Sequence, residues 1–412
     1  MIPLADARDR VLRDCARLPE ASVLLADALG LVTTRSVVAG EPVPPFANTA
    51  MDGFAVIASD TAGASEEQPV VLDVVGTVAA GSFRDVPVVS GQAVRIMTGA
   101  PIPPGADAVA MVERCRPLDD GSRVEVGVAV EPGNHIRGAG DDLSVGDEVI
   151  PVGTALSAGH LGVLASLGLV EVAVTKRPAV GVMSTGDELV EGPVELAPGQ
   201  IRDSNRRALV ALLSELGCEP VDLGIVPDDA VAIRAAIEDG VARCDALVTS
   251  GGVSMGDFDH VKVVLDELGD MDWMQVAIKP AKPLAFGTVS GTPVFGLPGN
   301  PVSSMVSFEL FARPGLRQMM GHPDWGRMVI GAVAPDGLSR SADGKTHFVR
   351  VRLSTHERHG VVATSAGGQG SHQLGAMAGA EGLAVIPDGD GVAPLGVVPV
   401  IVLRGLSGQL PT

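Results

Sequence analysis

The sequence contains no tyrosine, and phenylalanine plus tryptophan supply only 3% of its residues. A core must therefore be built from Val, Leu, Ile and Ala. Basic charge is also scarce: 30 Lys and Arg stand against 50 Asp and Glu, a net of −20. Such a surface repels nucleic acid and acidic membranes, so an anionic ligand needs a local basic pocket set against that field. The 4 cysteines, Cys15, Cys115, Cys218 and Cys244, form no C-x-x-C pair, which argues against a thiolate zinc site and a disulfide scaffold and suits a reducing cytosol. The longest apolar stretches are about ten residues, well short of the ~20 that span a bilayer. The first residues carry Asp6, Arg8, Asp9 and Arg10 and lack the apolar run of a signal peptide. These absences predict a soluble, cytoplasmic protein that binds neither nucleic acid nor membrane.

What is abundant is glycine, with 52 residues, and proline, with 30, about a fifth of the 412-residue chain. At 46% hydrophobic residues this excess means many turns, not disorder. The length fits about two to four domains. Leu4, Ala7, Val11, Cys15 and Leu18 share a helical face over residues 4–18. EPVPPF (41–46) is an extended connector, because its prolines exclude helix. Residues 70–130 hold short β-branched runs separated by Gly, Pro and Asp, the pattern of a compact β domain. A helix over 157–167 has Ser157 at its start.

From about residue 179 strands and helices alternate. Strands at 179–185, 221–226, 246–250 and 292–297 are followed by helices opening near Asp203-Ser204, at Asp228 (burying Val231, Ala235 and Ile237), before Val261 and at Asn300-Pro301. This alternation predicts a parallel, doubly wound sheet. After about residue 322 the helices stop, and the strictly alternating THFVRVRL (346–353) and VVPVIVL (397–403) mark a second β domain.

Ligands of open α/β sheets bind beyond the carboxyl ends of the strands. The loops there are Ser184–Glu188, Pro227–Asp229, Ser250–Asp257 with Asp259, and Leu297–Ser304, and topology should bring them to one edge. The third loop is glycine-rich, a form that lets backbone N–H groups approach an anion, although its plain reading is a tight turn. Glu188, Asp228 and Asp259 together can hold Mg²⁺, but Asp228 reads first as a helix N-cap. Lys279-Pro280-Ala281-Lys282-Pro283 holds two cations on a restricted loop, either solvated or gripping an anion between them. Phe348, Arg350 and Arg352 share a strand face, read either as an oxyanion-binding face or as the exposed face of an edge strand. Residues 367–372 form a flexible, donor-rich loop ending in His372.

Along nearly the whole chain, motifs occur in the order typical of one family. They are NTAMDGFAV (48–56), RIMTGAPIPPGADAVAMVE (95–113), EPGNHIRGAGDDL (131–143), STGDELV (184–190), IRDSN (201–205), SGGVSMGDFDHV (250–261), KPAKPLAFG (279–287), GLPGNPVSS (296–304) and GGQGSHQLGAMAGAEGLAVIP (367–387). The sequence resembles the molybdopterin molybdenumtransferase family, which includes MoeA of bacteria and the gephyrin E domain.

The resemblance implies a multidomain α/β plus β protein: an elongated N-terminal or linker domain from 1–48 and 139–172, an inserted β domain (49–138), a central three-layer, doubly wound α/β domain of the MogA type (173–322), and a C-terminal β-barrel (323–412). It implies Mg²⁺-dependent insertion of molybdenum from molybdate into adenylylated molybdopterin with release of AMP, in a homodimer with shared active sites and with contact to the adenylyltransferase that supplies the substrate. By motif position it assigns Asp52, Thr98, Asp142, Glu188, Asp228 and Asp259 to catalysis, the last three also to the metal. Arg137, Thr185, Gly186, Ser250, Gly251, Gly252, Ser254, Pro298, Asn300 and Pro301 go to substrate binding, and Lys279, Lys282, Ser303, Arg350 and Ser371 to molybdate. Ala281 stands where the family commonly has glycine, and Asp141 competes with Asp142 for one assignment. Three alternatives are an adenylyltransferase of molybdopterin, a tungsten-inserting paralogue, and a non-enzymatic scaffold. The first lacks the K-P-x-K segment and the flanking β domains, and the third normally carries a fused partner domain.

Overall fold

The computed structural model describes residues 1–82, 87–252 and 260–405. Near the N-terminus, strand Glu20–Leu24 pairs antiparallel with Glu171–Thr175 and Val37–Val38 with Glu148–Ile150, so two distant segments close one small unit around Leu31, Ile150, Leu164 and Val174. Its helix, Ala158–Ser166, opens with a reciprocal cap: Ser157 Oγ accepts from the His160 N–H, and the His160 ring faces the Ser157 N–H. Helix Leu4–Arg13 lies elsewhere. Ala7, Val11 and Cys15 are buried in the same core as Phe295, Phe308 and Leu316. Gly315 permits this approach, since a Cβ there would lie 2.7 Å from Cys15 Sγ.

Between these strands is a six-stranded sheet in the order Ala108–Met111, Gly53–Val56, Gln92–Ile96, Val70–Val78, Arg123–Val126, Cys115–Leu118. Both faces of Gly53–Val56 are covered, Phe54 and Val56 by one cluster and Ala55 by another. Gly53 is required here, because a Cβ would lie 2.1 Å from the Ala110 carbonyl oxygen.

The central sheet also has six strands, in the order Glu219–Val226, Ala179–Thr185, Ala246–Ser250, Thr292–Leu297, Pro283–Val289, Gly269–Gln275. The first four are parallel, as the alternation predicts. The last two are antiparallel, so the sheet is mixed, not wholly parallel. The strand Gly269–Gln275 exposes Asp270 and Asp272 on one face of the edge and partly covers Met271 and Trp273 on the other.

Two further expectations are corrected here. The helix Ala230–Arg243 is capped by Asp229, whose Oδ1 accepts from the N–H groups of Val231 and Ala232; Asp228 does not cap it. With the cap one residue later, the helix buries Ile233 and Ile237 and leaves Val231 76% exposed. Helices also do not stop at 322, because Leu374–Ala378 forms a short one against the core.

In the C-terminal region strands Thr346–His356, Gly360–Ser365, Val329–Ala334, Gly396–Val402 and Gly382–Ile386 pair in that order, and the last returns to the first, closing a five-stranded barrel. Ile278–Lys279 adds to the barrel in parallel, with Lys279 in register with His347. Phe348, Met377 and Leu383 join the core that contains Val180 and Phe295, so barrel and α/β unit share one apolar interior.

His322, at the end of the helical layer, is 7% exposed and its Nδ1 has no partner among the described residues. Burial, then Arg317 and Arg313, push its pKa down to about 4. The unfolded chain, with an ordinary value near 6.5, takes up a proton that the folded chain refuses. Stability from this residue is therefore complete above pH ~6.5 and is lost as pH falls from there through 4, by up to about 3 kcal/mol. Denaturant unfolding at pH 7 and pH 4.5 should show this loss in the wild type and a smaller one in His322→Phe. Equal losses in the two proteins would refute the assignment.

Candidate functional site

Four loops meet along the carboxyl edge of the parallel strands and enclose a cleft of about 790 Å³. Its lining includes Thr185, Gly186, Glu188, Asp228, Ser250, Gly251, Gly252, Pro298, Asn300 and Pro301. The loops are tied to one another. Gly251 N–H donates to Leu297 O (3.1 Å), and Asp228 N–H donates to Asp187 Oδ1 (3.1 Å). A Cβ on Gly251, whose φ is +101°, would lie 3.1 Å from Thr185 O, and one on Gly299 would lie 3.7 Å from Gly251 Cα. Gly186 (φ +142°) lies directly under a carboxylate, as a Cβ would fall 2.4 Å from Glu188 Oε2. With Asp229 serving as the cap, Asp228 is left to face the cleft.

Ser254 and Asp259 lie outside the described residues. Among the described residues no three His, Cys, Asp or Glu side chains converge as a metal site; the acids lining the cleft are Glu188, Asp228 and Asp203, and Asp203 is engaged with Arg206.

Asn205 was missing from the site residues expected from sequence. Its Nδ2 donates to Ser250 Oγ (2.8 Å) and Gly299 O (2.7 Å), so one amide at the first position of helix Asn205–Leu216 joins two strand-end loops. It falls in the motif IRDSN, and a polar residue at a helix start on the sheet edge was the available signal. Behind it, buried Arg206 is held by Asp203, Glu191 and Asp222, which fixes the segment 191–206 that walls the cleft.

A second cavity of about 740 Å³ lies on the barrel side, lined by Lys279, Pro280, His347, Phe348, Gln369 and Gly370 among others. Pro283 and His372 line the first cleft, so the lysine loop and the glycine loop form the wall between the two. Lys279 and Lys282 are both exposed and make no ion pair among the described residues. Ala281 is buried with φ +76°, a left-handed conformation that costs an L-residue about 1–2 kcal/mol.

Arg350 corrects the edge-strand reading. Its strand is paired on both sides, and the residue is 0% exposed, whereas Arg352 faces solvent. Arg350 Nη2 donates to Gly368 O (2.8 Å) and Gly370 O (3.2 Å), while Nε and Nη1 meet no partner among the described residues. Burial lowers its pKa, yet an arginine stays charged at neutral pH. Ser303 is buried on the helix Pro301–Ser307, and Ser371 O accepts from the Val302 N–H (3.0 Å), which holds the glycine loop against that helix.

Asp52, Thr98, Arg137 and Asp142 do not line this cleft in their own chain. Asp52 Oδ1 accepts from Thr98 N–H (2.7 Å) and Thr98 Oγ1 (2.8 Å), and these bonds, the backbone one first, lower its pKa. Arg137 pairs with Asn48 on the neighbouring two-stranded ladder. Asp141 is committed locally, with Oδ2 accepting from Gly138 N–H (2.6 Å), whereas the exposed Asp142 carboxylate makes no bond among the described residues.

Residues 2–168 match the family described as MoeA N-terminal region (domain I and II), residues 181–318 the family described as Probable molybdopterin binding domain, and residues 338–403 the family described as MoeA C-terminal region (domain IV). A Haemophilus influenzae relative named molybdopterin molybdenumtransferase is 37% identical over 379 residues, 92% of each chain. Molybdopterin molybdenumtransferase 2 of Mycobacterium tuberculosis is 40% identical over 378 residues, 89% of this chain and 91% of its own. The solved structure of the molybdopterin biosynthesis MoeA protein of Pyrococcus horikoshii is similar over 98% of this chain and 100% of that one, with 29% identity and a TM-score of 0.79. Matched in order from end to end, with its cleft built from the strand-end loops of the central segment, the chain belongs to the molybdopterin molybdenumtransferase family of molybdenum cofactor biosynthesis enzymes.

Proposed function

We propose that the protein cleaves adenylylated molybdopterin with Mg²⁺, releases AMP, and inserts molybdenum from molybdate into the dithiolene. The observation that carries this reading is Arg350. A guanidinium with 0% exposure and two nitrogens without a partner among the described residues is costly, about 1–3 kcal/mol for each unsatisfied donor, unless an oxyanion accepts from it. Ser303, Ser371, Lys279 and Lys282 lie on the elements around it and complete a molybdate site of hydroxyl and ammonium donors. A cleft of about 790 Å³ is within the range of small-molecule sites and suits the pterin and its phosphates. There Thr185, Ser250, Asn300 and the backbone at Gly251–Gly252 supply donors, while Gly186, Pro298 and Pro301 shape the wall.

The acids fit a hard cation. Glu188 and Asp228 offer only oxygen, and Mg²⁺ is usually held by one or two carboxylates together with substrate phosphates. Asp259 is a further carboxylate of the same set by sequence. Bound there, Mg²⁺ offsets phosphate charge at the bond that breaks. Thr98 holds the Asp52 carboxylate ionised and in one orientation. Because Asp52, Thr98, Arg137 and Asp142 do not line their own cleft, we assign them to the cleft of a second copy in a homodimer. The four-domain division at 1–48 with 139–172, 49–138, 173–322 and 323–412 belongs to the same proposal.

The test is Glu188→Gln combined with Asp228→Asn. AMP release should fall by about a hundredfold or more and lose its dependence on Mg²⁺. Release at the wild-type rate would overturn the role of these acids.

A further inference from the structure

The Arg350 guanidinium is held by carbonyls of a glycine loop, and something must hold that loop. Gln369 does so with every polar atom it has. Its Oε1 accepts from Arg350 N–H (2.9 Å), and its Nε2 donates to Arg350 O (3.1 Å) and Gly367 O (3.0 Å), with Ser365 Oγ at 3.4 Å. The side-chain amide thus pairs with both backbone groups of Arg350, as a neighbouring strand would. The loop is then tied from its far side, where Gly370 N–H donates to Gln373 Oε1 (2.6 Å). Gly368 and Gly370 are constrained as well, since a Cβ would lie 2.3 Å from the Gln373 side chain at Gly368 and 2.8 Å from His372 at Gly370. These ties present the carbonyls of Gly368 and Gly370 to Arg350 Nη2.

We infer that Gln369 is a positioning residue for Arg350: it orients the guanidinium so that Nε and Nη1 remain free for a tetrahedral oxyanion. The inference rests on the reading of Arg350 as an oxyanion donor given above. Gln369 lines the barrel-side cavity, but its side-chain carbonyl oxygen and both amide hydrogens are already committed, so its side chain has no donor left for a ligand. Its effect therefore passes through Arg350.

The experiment measures molybdate binding by equilibrium dialysis, and the KM for molybdate in AMP release, in the full-length protein. Gln369→Met keeps the length of the side chain and removes its hydrogen bonds, and Gln369→Ala controls for packing. Each should weaken molybdate binding and raise its KM by about tenfold, the loss typical of removing a group that orients a ligand-binding side chain. Affinity for adenylylated molybdopterin should change by less than about twofold. In an Arg350→Met background, adding Gln369→Met should cause no further loss, because the group it positions is gone. Wild-type molybdate affinity in Gln369→Met, with binding lost in Arg350→Met, overturns the role of Gln369 and leaves the oxyanion site standing. Equal additional loss in the Arg350→Met background also overturns it, since Gln369 would then act independently. Wild-type affinity in Arg350→Met would instead refute the oxyanion site itself. If Gln369→Met unfolds, Ser365→Ala, which removes the 3.4 Å contact of the amide together with the hydroxyl's own bonds to Gly367 O (3.1 Å) and Gly367 N–H (3.4 Å), should give a smaller loss in the same direction, and no loss there overturns the inference.

Discussion

Arg350→Met should reduce molybdate-dependent turnover by about a hundredfold or more, with thermal stability close to that of the wild type. The two effects have one origin. A guanidinium that is 0% exposed, with Nε and Nη1 meeting no partner among the described residues, is a poor contributor to stability, because desolvation outweighs the two bonds made by Nη2. Methionine fills similar volume without charge, at the cost of leaving the carbonyls of Gly368 and Gly370 with fewer donors. On the proposed reading, the oxyanion that Arg350 binds is the reason for burying an arginine there. Arg350→Lys is not a conservative substitute, because an ammonium cannot serve two carbonyls and an oxyanion in one plane. A variant with normal turnover would remove the reason for burying an arginine there.

Glu309→Ala should destabilise the junction between the barrel and the helical layer by about 3–5 kcal/mol, the cost of breaking a buried ion pair. The Glu309 side chain is 2% exposed, and its two oxygens accept from Arg327 Nε (2.7 Å) and Nη2 (2.8 Å). Arg327 Nη1 also donates to Leu403 O (2.7 Å), and Arg313 Nε approaches Glu309 to 3.8 Å. Removing the carboxylate leaves two guanidinium groups facing each other in a half-buried site. Burial, with Arg327 and Arg317, already lowers the pKa of Arg313 against the pull of Glu309, while against its burial the bonds to Glu309 raise that of Arg327. Trp325 is two residues from Arg327 in the chain and its indole N–H donates to His322 O (3.0 Å), so its fluorescence during denaturant unfolding reads the change. Glu309→Met with Arg327→Met should recover part of the loss, because two matched apolar groups replace the pair and only Arg313 loses its carboxylate. A single variant within about 0.5 kcal/mol of the wild type would show that the pair holds nothing together.

Much of the architecture was legible because periodicity is a direct consequence of burial. The apolar runs at 179–185, 246–250 and 292–297 are strands covered on both faces, as parallel strands under helices must be. The antiparallel pair Gly269–Gln275 and Pro283–Val289 was not legible, because a charged edge strand and a proline-led strand resemble loop. Asp228 was read as the cap because adjacent aspartates are equivalent in a one-dimensional pattern, and only backbone geometry separates them. Arg350 and Asn205 show the same limit at the site. Alternation assigns a residue to a face, but it does not tell whether that face meets solvent or a loop returning from residues 367–372. Likewise, a polar residue at a helix start reads as a cap unless the neighbouring strand ends, Ser250 and Gly299, are known to lie within reach of its side chain.

The proposed molybdate-dependent cleavage of an adenylylated pterin is measured as AMP release from adenylylated molybdopterin with Mg²⁺, with and without molybdate. Release should require molybdate and be lost in Arg350→Met. Release that ignores molybdate, or formation of adenylylated molybdopterin from ATP instead, would contradict it.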